Sequence, residues 1–201
     1  MNHEIKCRWL IPMEIEMHSV EFQQNMETTK ASLMVDKKIQ YVNISKLCRE
    51  ERFAIGKHLL IISYNPSRHD PIQGNYELTI DGQPFPDYRE QQNKRYARWS
   101  AHQSSQHFHI VYDKTTMDVY VNAHHVPSEH EFVGPDTVVS FELELREGHR
   151  VPCRIVTPGG LIVGGPAHIL YVRDESWPLV IDQNTGVFPA RQAATGILTD
   201  Y

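Results

Sequence analysis

Three cysteines in 201 residues, Cys7, Cys48 and Cys153, are too few and too scattered to build a disulfide framework or a four-ligand zinc module. A reducing compartment is the expectation, and with it a cytoplasmic protein. Long apolar runs are missing as well. Stretches such as 59–62 and 161–163 fall far short of the roughly 18 residues that cross a bilayer, so no membrane insertion is expected. Residues 1–13 lack the basic start and continuous apolar stretch of a secretory signal. No basic block exists either. Twenty Lys and Arg are interspersed with 25 Asp and Glu, and the net charge of -5 would be repelled by a phosphate backbone, which argues against nucleic acid as a partner.

Catalytic signatures are also wanting. There is no Gly-x-Ser-x-Gly elbow and no His-Glu-x-x-His zinc helix. The glycine pairs 159–160 and 164–165 are followed neither by Lys-Ser/Thr nor by a helical pattern, so they read as turns rather than a phosphate cradle. No catalytic residue, cofactor or metal ligand is assigned, and the chain reads as a non-enzyme.

What the sequence does contain is alternation. Tyr76, Leu78 and Ile80 point one way and Glu77 and Thr79 the other, with Asp81-Gly82 as a tight turn beyond. Val139, Phe141, Leu143 and Leu145 share a face opposite Ser140, Glu142 and Glu144. Further strands are expected at 20–22, 32–35, 39–42, 58–64, 108–112, 117–121, 151–156 and 168–172. Only 43–52 hints at a short helix, with Ile44, Leu47 and Cys48 on one side.

The pattern occurs twice. The pairs 20–22 and 33–37, 53–58 and 59–63, and then 76–81 are echoed by 109–112 and 119–123, 141–145 and 151–156, and then 168–173. The reading is all-β: two small antiparallel β-sandwich-like domains related by internal duplication. An N-terminal domain is expected over 1–90, a C-terminal one over 91–180 and a flexible tail over 181–201. The polar stretch 89–95, without apolar spacing, is expected to be the linker.

Twelve histidines are the compositional oddity, expected to protonate below about pH 6.5. His107, His109, His124, His125 and His130 form the sharpest cluster. His107 and His109 share one strand face, and a hairpin would carry His124 and His125 toward them, with Asp113 or Glu131 as further ligands for zinc, copper or nickel. The cluster matches no known ligand spacing, and solvated strand positions explain it equally well. Cys153, with His149 and His168 as imidazole candidates, lies in an alternating strand where a buried inert thiol is the ordinary outcome. Trp9, Trp99 and Trp177 sit in or beside strand-like segments and read as packing residues.

Ordered spacings through the chain resemble a known family. They comprise Trp9, His18, Glu21, Phe22 and Val35-Asp36, then Lys46-Leu47, Glu51, Phe53 and Gly56. Tyr76-Glu-Leu-Thr-Ile-Asp-Gly82 with Tyr88 follows, and beyond it Trp99, Ile110-Val111, Lys114, Met117-Asp118-Val119, Asn122, 131–133 and His168-x-Leu-x-Val172. Together they are similar to the Fas apoptotic inhibitory molecule family. The resemblance implies two β-rich halves, a cytosolic location, no enzyme activity and restraint of death-receptor-triggered apoptosis. It also implies protein partners, either death-receptor signalling components or, for a holdase protecting against stress-induced aggregation, unfolded clients. Three departures stand out. Lys37 and Ala123 occupy turn positions where the family carries Gly, which suggests altered turn types. Asn43 and Ser45 replace aromatic residues, and Arg49 replaces a glycine.

Overall fold

The computed structural model describes residues 4–25, 27–28, 30–43, 49–65, 76–103, 106–146, 148–159, 168–173 and 175–177. Two compact units emerge. Of the described residues, the first holds 4–11 and Met17–Arg89, and the second holds Pro12–Glu16 and 90–177.

In the first half of the chain, β1 (Glu4–Met13), β2 (Glu16–Asn25), β3 (Ala31–Val35) and β4 (Lys38–Asn43) form one meander. A second comprises β5 (Glu50–Ile55), β6 (His58–Tyr64), β7 (Tyr76–Ile80) and β8 (Gln83–Pro84). Burial follows the expected alternation. Val20 and Phe22 of β2, Leu33 of β3, Leu60 and Ile62 of β6, and Tyr76 and Ile80 of β7 are almost wholly enclosed. Fully burying a large apolar side chain stabilises by about 1.5–3 kcal/mol, so this inner face dominates the fold's energetics. Phe22 from one sheet meets Tyr76 from the other, ring centroids 4.7 Å apart.

The second half repeats the plan. β9 (Tyr96–Gln103), β10 (Gln106–Asp113), β11 (Val119–Val121) and β12 (His124–Val126) form a four-stranded sheet in sequential order. β13 (Ser128–Val133), β14 (Asp136–Glu144), β15 (Arg150–Thr157), β16 (Ile169–Val172) and β17 (Glu175–Trp177) form a five-stranded one. A single core joins them: Trp99, Phe108, Ile110, Tyr112 and Val119 from the first sheet pack with Val139, Phe141, Leu143, Cys153, Ile155 and Leu170 from the second. All pairings are antiparallel. The all-β, duplicated sandwich architecture is therefore observed. Among the described residues β13 has no counterpart in the first half.

Two expectations are corrected. The stretch 89–95, expected as a linker and showing no helical period, is helical and forms the latter part of α1 (Phe85–Arg95). Pro86 suits a first helical turn, whose N–H groups lack partners anyway. Asp87 and the Lys94-Arg95 end match the helix dipole, and Glu90 pairs with Lys94 four residues on at 2.8 Å. With only Phe85 and Tyr88 buried, the apolar face was too narrow to show as a period. The helix expected over 43–52 is likewise absent at both ends. Asn43 closes β4, and Glu50–Ile55 pair residue by residue with β6, which commits them to strand; 44–48 lie outside the described residues. So does the expected tail.

The turns without glycine take the same conformation as the one with it. Asp36-Lys37, Asp81-Gly82 and Asn122-Ala123 each link strands by two residues at φ between 49° and 80°, the left-handed pair of a type I′ hairpin. Lys37 and Ala123 hold this conformation without the freedom of glycine, which costs each about 1–2 kcal/mol. Replacing Ala123 by Gly is therefore expected to raise stability by about 0.5–1 kcal/mol after the added flexibility of the unfolded chain. A urea midpoint that stays put or falls, at constant m, would show that the turn stores no strain.

Candidate functional site

The register of β9–β12 decides the histidine cluster. Phe108 and Ile110 point into the core, so His107 and His109 lie on the outer face, as alternation required. The hairpin does not bring the other imidazoles to them. Val111 pairs with Tyr120 and Tyr120 with His125, so His125 shares their face but stands two strands away, about 10 Å. His124 projects to the other face, in register with Val121 and Ile110, and its Nδ1 lies 2.8 Å from the Asn122 carbonyl. His125 approaches Asp118 at 3.3 Å, and His130 belongs to β13 in the other sheet.

The candidate carboxylates are committed or remote. Asp113 accepts from Arg95 at 2.8 and 3.1 Å and from the Thr115 amide at 2.9 Å, and Glu131 stands exposed on β13. Among the described residues no three His, Cys, Asp or Glu side chains converge as a metal site would require.

Two histidines behave differently from the bulk expectation. Burial, with the Arg98 charge nearby, pushes His109 down to about 4, and its Nε2 is enclosed without a hydrogen-bond partner. Burial also pushes His168 down to about 4. Its Nδ1 sits 2.8 Å from Thr157 Oγ1 and its ring meets Tyr112 edge-on at 5.3 Å. Both stay neutral at pH values where a free imidazole, near 6.5, would charge.

The thiol is inert by placement. Cys153 is buried in β15, pushed up to about 12 by loss of water, and its Sγ points at the Val151 carbonyl. It pairs with Val172, whereas His168 lies by Thr157, four residues along the strand. That separation of about 13 Å excludes a Cys–His couple. His149 is exposed in the preceding turn. Trp9 and Trp99 are fully buried, as packing residues should be, and the Trp177 side chain lies outside the described residues.

Two arrangements escaped the sequence reading. Ser100 Oγ lies 2.6 Å from His107 Nε2 across β9 and β10. Only the pairing of Ser100 with His109 places them together, and that register is invisible in sequence. Among the described residues the couple sits on a regular antiparallel ladder.

The second is a pair of His–Asp clamps at the type I′ turns. Asp36 accepts from the Ser19 amide at 2.8 Å and from His18 Nδ1 at 2.8 Å. Asp81 accepts from the Leu59 amide at 2.9 Å and from His58 Nδ1 at 2.6 Å. The hydrogen bond from His58, reinforced by the Leu59 amide, holds the Asp81 carboxyl below its usual range. Asn122 repeats the amide half of the device on His109 at 2.8 Å.

A groove of about 790 Å³ runs over the outer face of the β13–β17 sheet, lined among others by Glu129, Glu142, Glu144, Arg150, Pro152 and Arg154. Its lining mixes acidic and basic side chains, and the Cys153 thiol that borders it is the buried one described above. No helix of the described residues is long and apolar enough to cross a membrane. Among the described residues what remains prominent is sheet surface.

A family model described as Fas apoptotic inhibitory molecule matches residues 5–179. The chain belongs to that family. Similar relatives include Fas apoptotic inhibitory molecule 1 of Bos taurus, 27% identical over 137 residues, covering 67% of this chain and 68% of the relative. The Homo sapiens protein of the same name is 27% identical, with 67% and 76% covered, and that of Mus musculus 26%, also with 67% and 76%. At such identity more than seven aligned positions in ten differ, and surface chemistry is free to diverge.

The buried imidazoles set a pH dependence. Their pKa values are lowered on folding, so between about 6.5 and 4 the unfolded chain binds protons that the folded chain refuses. Stability is expected to fall as pH drops through that window. Urea midpoints across pH 7 to 4, taken on the wild type and on His109→Gln/His168→Gln, check this. The variant should show a shallower slope, and an unchanged slope assigns the acid sensitivity elsewhere. A thiol held near 12 is expected to resist alkylation. Iodoacetamide at pH 8 followed by peptide mass mapping should leave Cys153 unmodified in the folded chain and label it in denaturant.

Proposed function

We propose that this protein is an intracellular, non-enzymatic regulator that restrains Fas-triggered apoptosis by binding other proteins. The observation that carries the reading is family membership across residues 5–179, since the family and its matched relatives are named for inhibition of Fas-driven cell death. The site geometry is compatible with it. The histidine cluster is dispersed over two sheets, and the Cys153 thiol is enclosed. Function then rests on outer sheet faces and edges, with death-receptor signalling components in the cytoplasm as the partners.

A holdase acting on unfolded clients is the weaker reading. Such a protein needs a broad exposed apolar surface. The large hydrophobics most exposed among the described residues are few: Ile39 on β4, Leu59 on β6, and Phe132 with Val133 on β13. They suit docking of a defined segment better than capture of an unfolded chain.

Cells from which the gene has been deleted are expected to die more readily when treated with Fas ligand, and re-expression of the full chain should restore survival. Equal survival of deleted and parental cells, measured by caspase activation and dye uptake, would count decisively against the apoptotic reading.

A further inference from the structure

We propose that the free edge of β13 is a docking strand for an extended partner segment that carries basic side chains at alternate positions and an apolar side chain opposite Phe132. This deepens the protein-binding reading above and rests on it.

β13 is the end strand of the five-stranded sheet, so one side of its backbone pairs with β14 and, among the described residues, the other has no strand beside it. In an antiparallel ladder every second residue directs its N–H and C=O outward, so such an edge is a template for one more strand. Sheet edges are ordinarily blunted by shortness, proline, lysine or a bulge. In this half β12 and β17 follow that rule and end after three residues, whereas the edge strand β9 runs eight residues but buries Tyr96, Ala97, Arg98 and Trp99. β8 in the first half is two residues long and contains Pro84. β13 has none of these protections. It runs six residues, Ser-Glu-His-Glu-Phe-Val, in unbroken register from Ser128 opposite Phe141 to Val133 opposite Asp136.

Its side chains specify what would pair with it. Phe132 is 78% exposed and Val133 57%, on a strand whose every residue from Glu129 onward is exposed. Glu129 and Glu131 project from the face opposite His130 and Phe132, and neither makes a hydrogen bond or ion pair among the described residues. The adjoining outer face of β14 adds Glu142 and Glu144. The basic residues of the sheet lie farther in: Arg150 holds Glu142 at 3.2 Å and Arg154 stacks over Tyr171 at 4.9 Å. Among the described residues Glu129 and Glu131 are the charges of the edge strand that no cation pairs. Lys or Arg at alternate partner positions would face Glu129 and Glu131, and the intervening positions would meet His130 and Phe132. Backbone bonds supply affinity and alternate side chains supply choice, the usual division in strand addition.

A second copy of this chain fits worse. Antiparallel self-pairing that keeps the sheet faces matched sets Glu131 against itself, or Glu129 against Glu131, in the central registers, and like charges directly opposite destabilise a ladder.

The test uses the purified full chain and a fluorescein-labelled nine-residue peptide of alternating Lys and Val. Saturable binding by anisotropy is expected, weakening as salt rises, with slowed amide exchange at residues 129–133. Glu129→Lys/Glu131→Lys should weaken binding about tenfold. Both side chains are exposed, so an unchanged Tm is expected for this variant and separates lost binding from lost fold. A peptide N-methylated on its pairing edge should not bind. The inference is overturned by failure of the Lys–Val peptide to bind, by equal binding of an alternating Glu–Val peptide, by unchanged affinity in the double variant, or by protection elsewhere than β13. It is also overturned by a concentration-dependent dimer in sedimentation that Phe132→Ser abolishes, since the edge then belongs to a second copy. These readouts use no cells, so their failure leaves the apoptotic reading standing, and the failure of that reading leaves them intact.

Discussion

Register is the constraint on which everything else in this protein hangs, and the two-residue left-handed turns are what hold it. Side chains alternate with period two, so a slip by one residue would turn an inner face such as Val20, Phe22, Leu33 and Val35 toward water. Each large apolar group lost from the interior costs about 1.5–3 kcal/mol, so burial alone forbids that slip. A slip by two is different. It preserves the faces, and the hydrophobic term hardly distinguishes it. Turn chemistry makes that choice. The Asp36 and Asp81 carboxylates and the Asn122 amide oxygen each accept a backbone N–H from the strand next door, at Ser19, Leu59 and His109, while their own amides donate back to the same residues. A net contribution of about 0.5–1.5 kcal/mol per bond is small beside the core, yet it acts where the core is indifferent.

The same device shows how far the halves have diverged. At the fourth equivalent turn Arg173 keeps the backbone bond, to Pro152, and the left-handed φ of 57°, but has no oxygen with which to accept. Aligning the halves on these turns places Tyr112 where Phe22 stands and His168 where Tyr76 stands. Both pairs are in ring contact, at 4.7 Å in the first half and 5.3 Å in the second. An aromatic contact between sheets thus outlived replacement of both its members. The imidazole that entered the core lost access to water, which is why it remains neutral.

Much of this was legible in the sequence, and the reasons for what was not are physical. Strands such as Tyr76–Ile80 and Asp136–Glu144 announce themselves because one face is dry and the other wet. The repeat was visible because both halves solve the same packing problem with the same period. α1 was hidden because a helix that buries only Phe85 and Tyr88 leaves no amphipathic stripe, and its evidence lies in charge placement at the ends. β13 was hidden for the opposite reason. A strand exposed on both faces, Glu129 to Val133, has no dry side and therefore no alternation to detect. The histidines could be assigned to faces but not to neighbours. Whether His107 meets Ser100 or His125 depends on strand order, and strand order is a tertiary fact.

The same reasoning explains why the strand least visible in the sequence is the one best placed to act. A strand whose residues are fixed by a core cannot vary without harm, so an inner strand such as β10 is constrained at Phe108, Ile110 and Tyr112. β13 carries no such obligation. It is held by its ladder to β14 and by the Gly134-Pro135 turn, with Gly134 at φ 61°, while its side chains are free to be chosen for a partner. An unprotected edge is ordinarily a liability, because any chain of suitable hydrophobicity can add to it. Two carboxylates on one face and a phenylalanine on the other narrow that generality by repelling acidic strands and copies of itself. The unpaired backbone keeps the edge receptive, and the side chains make it selective.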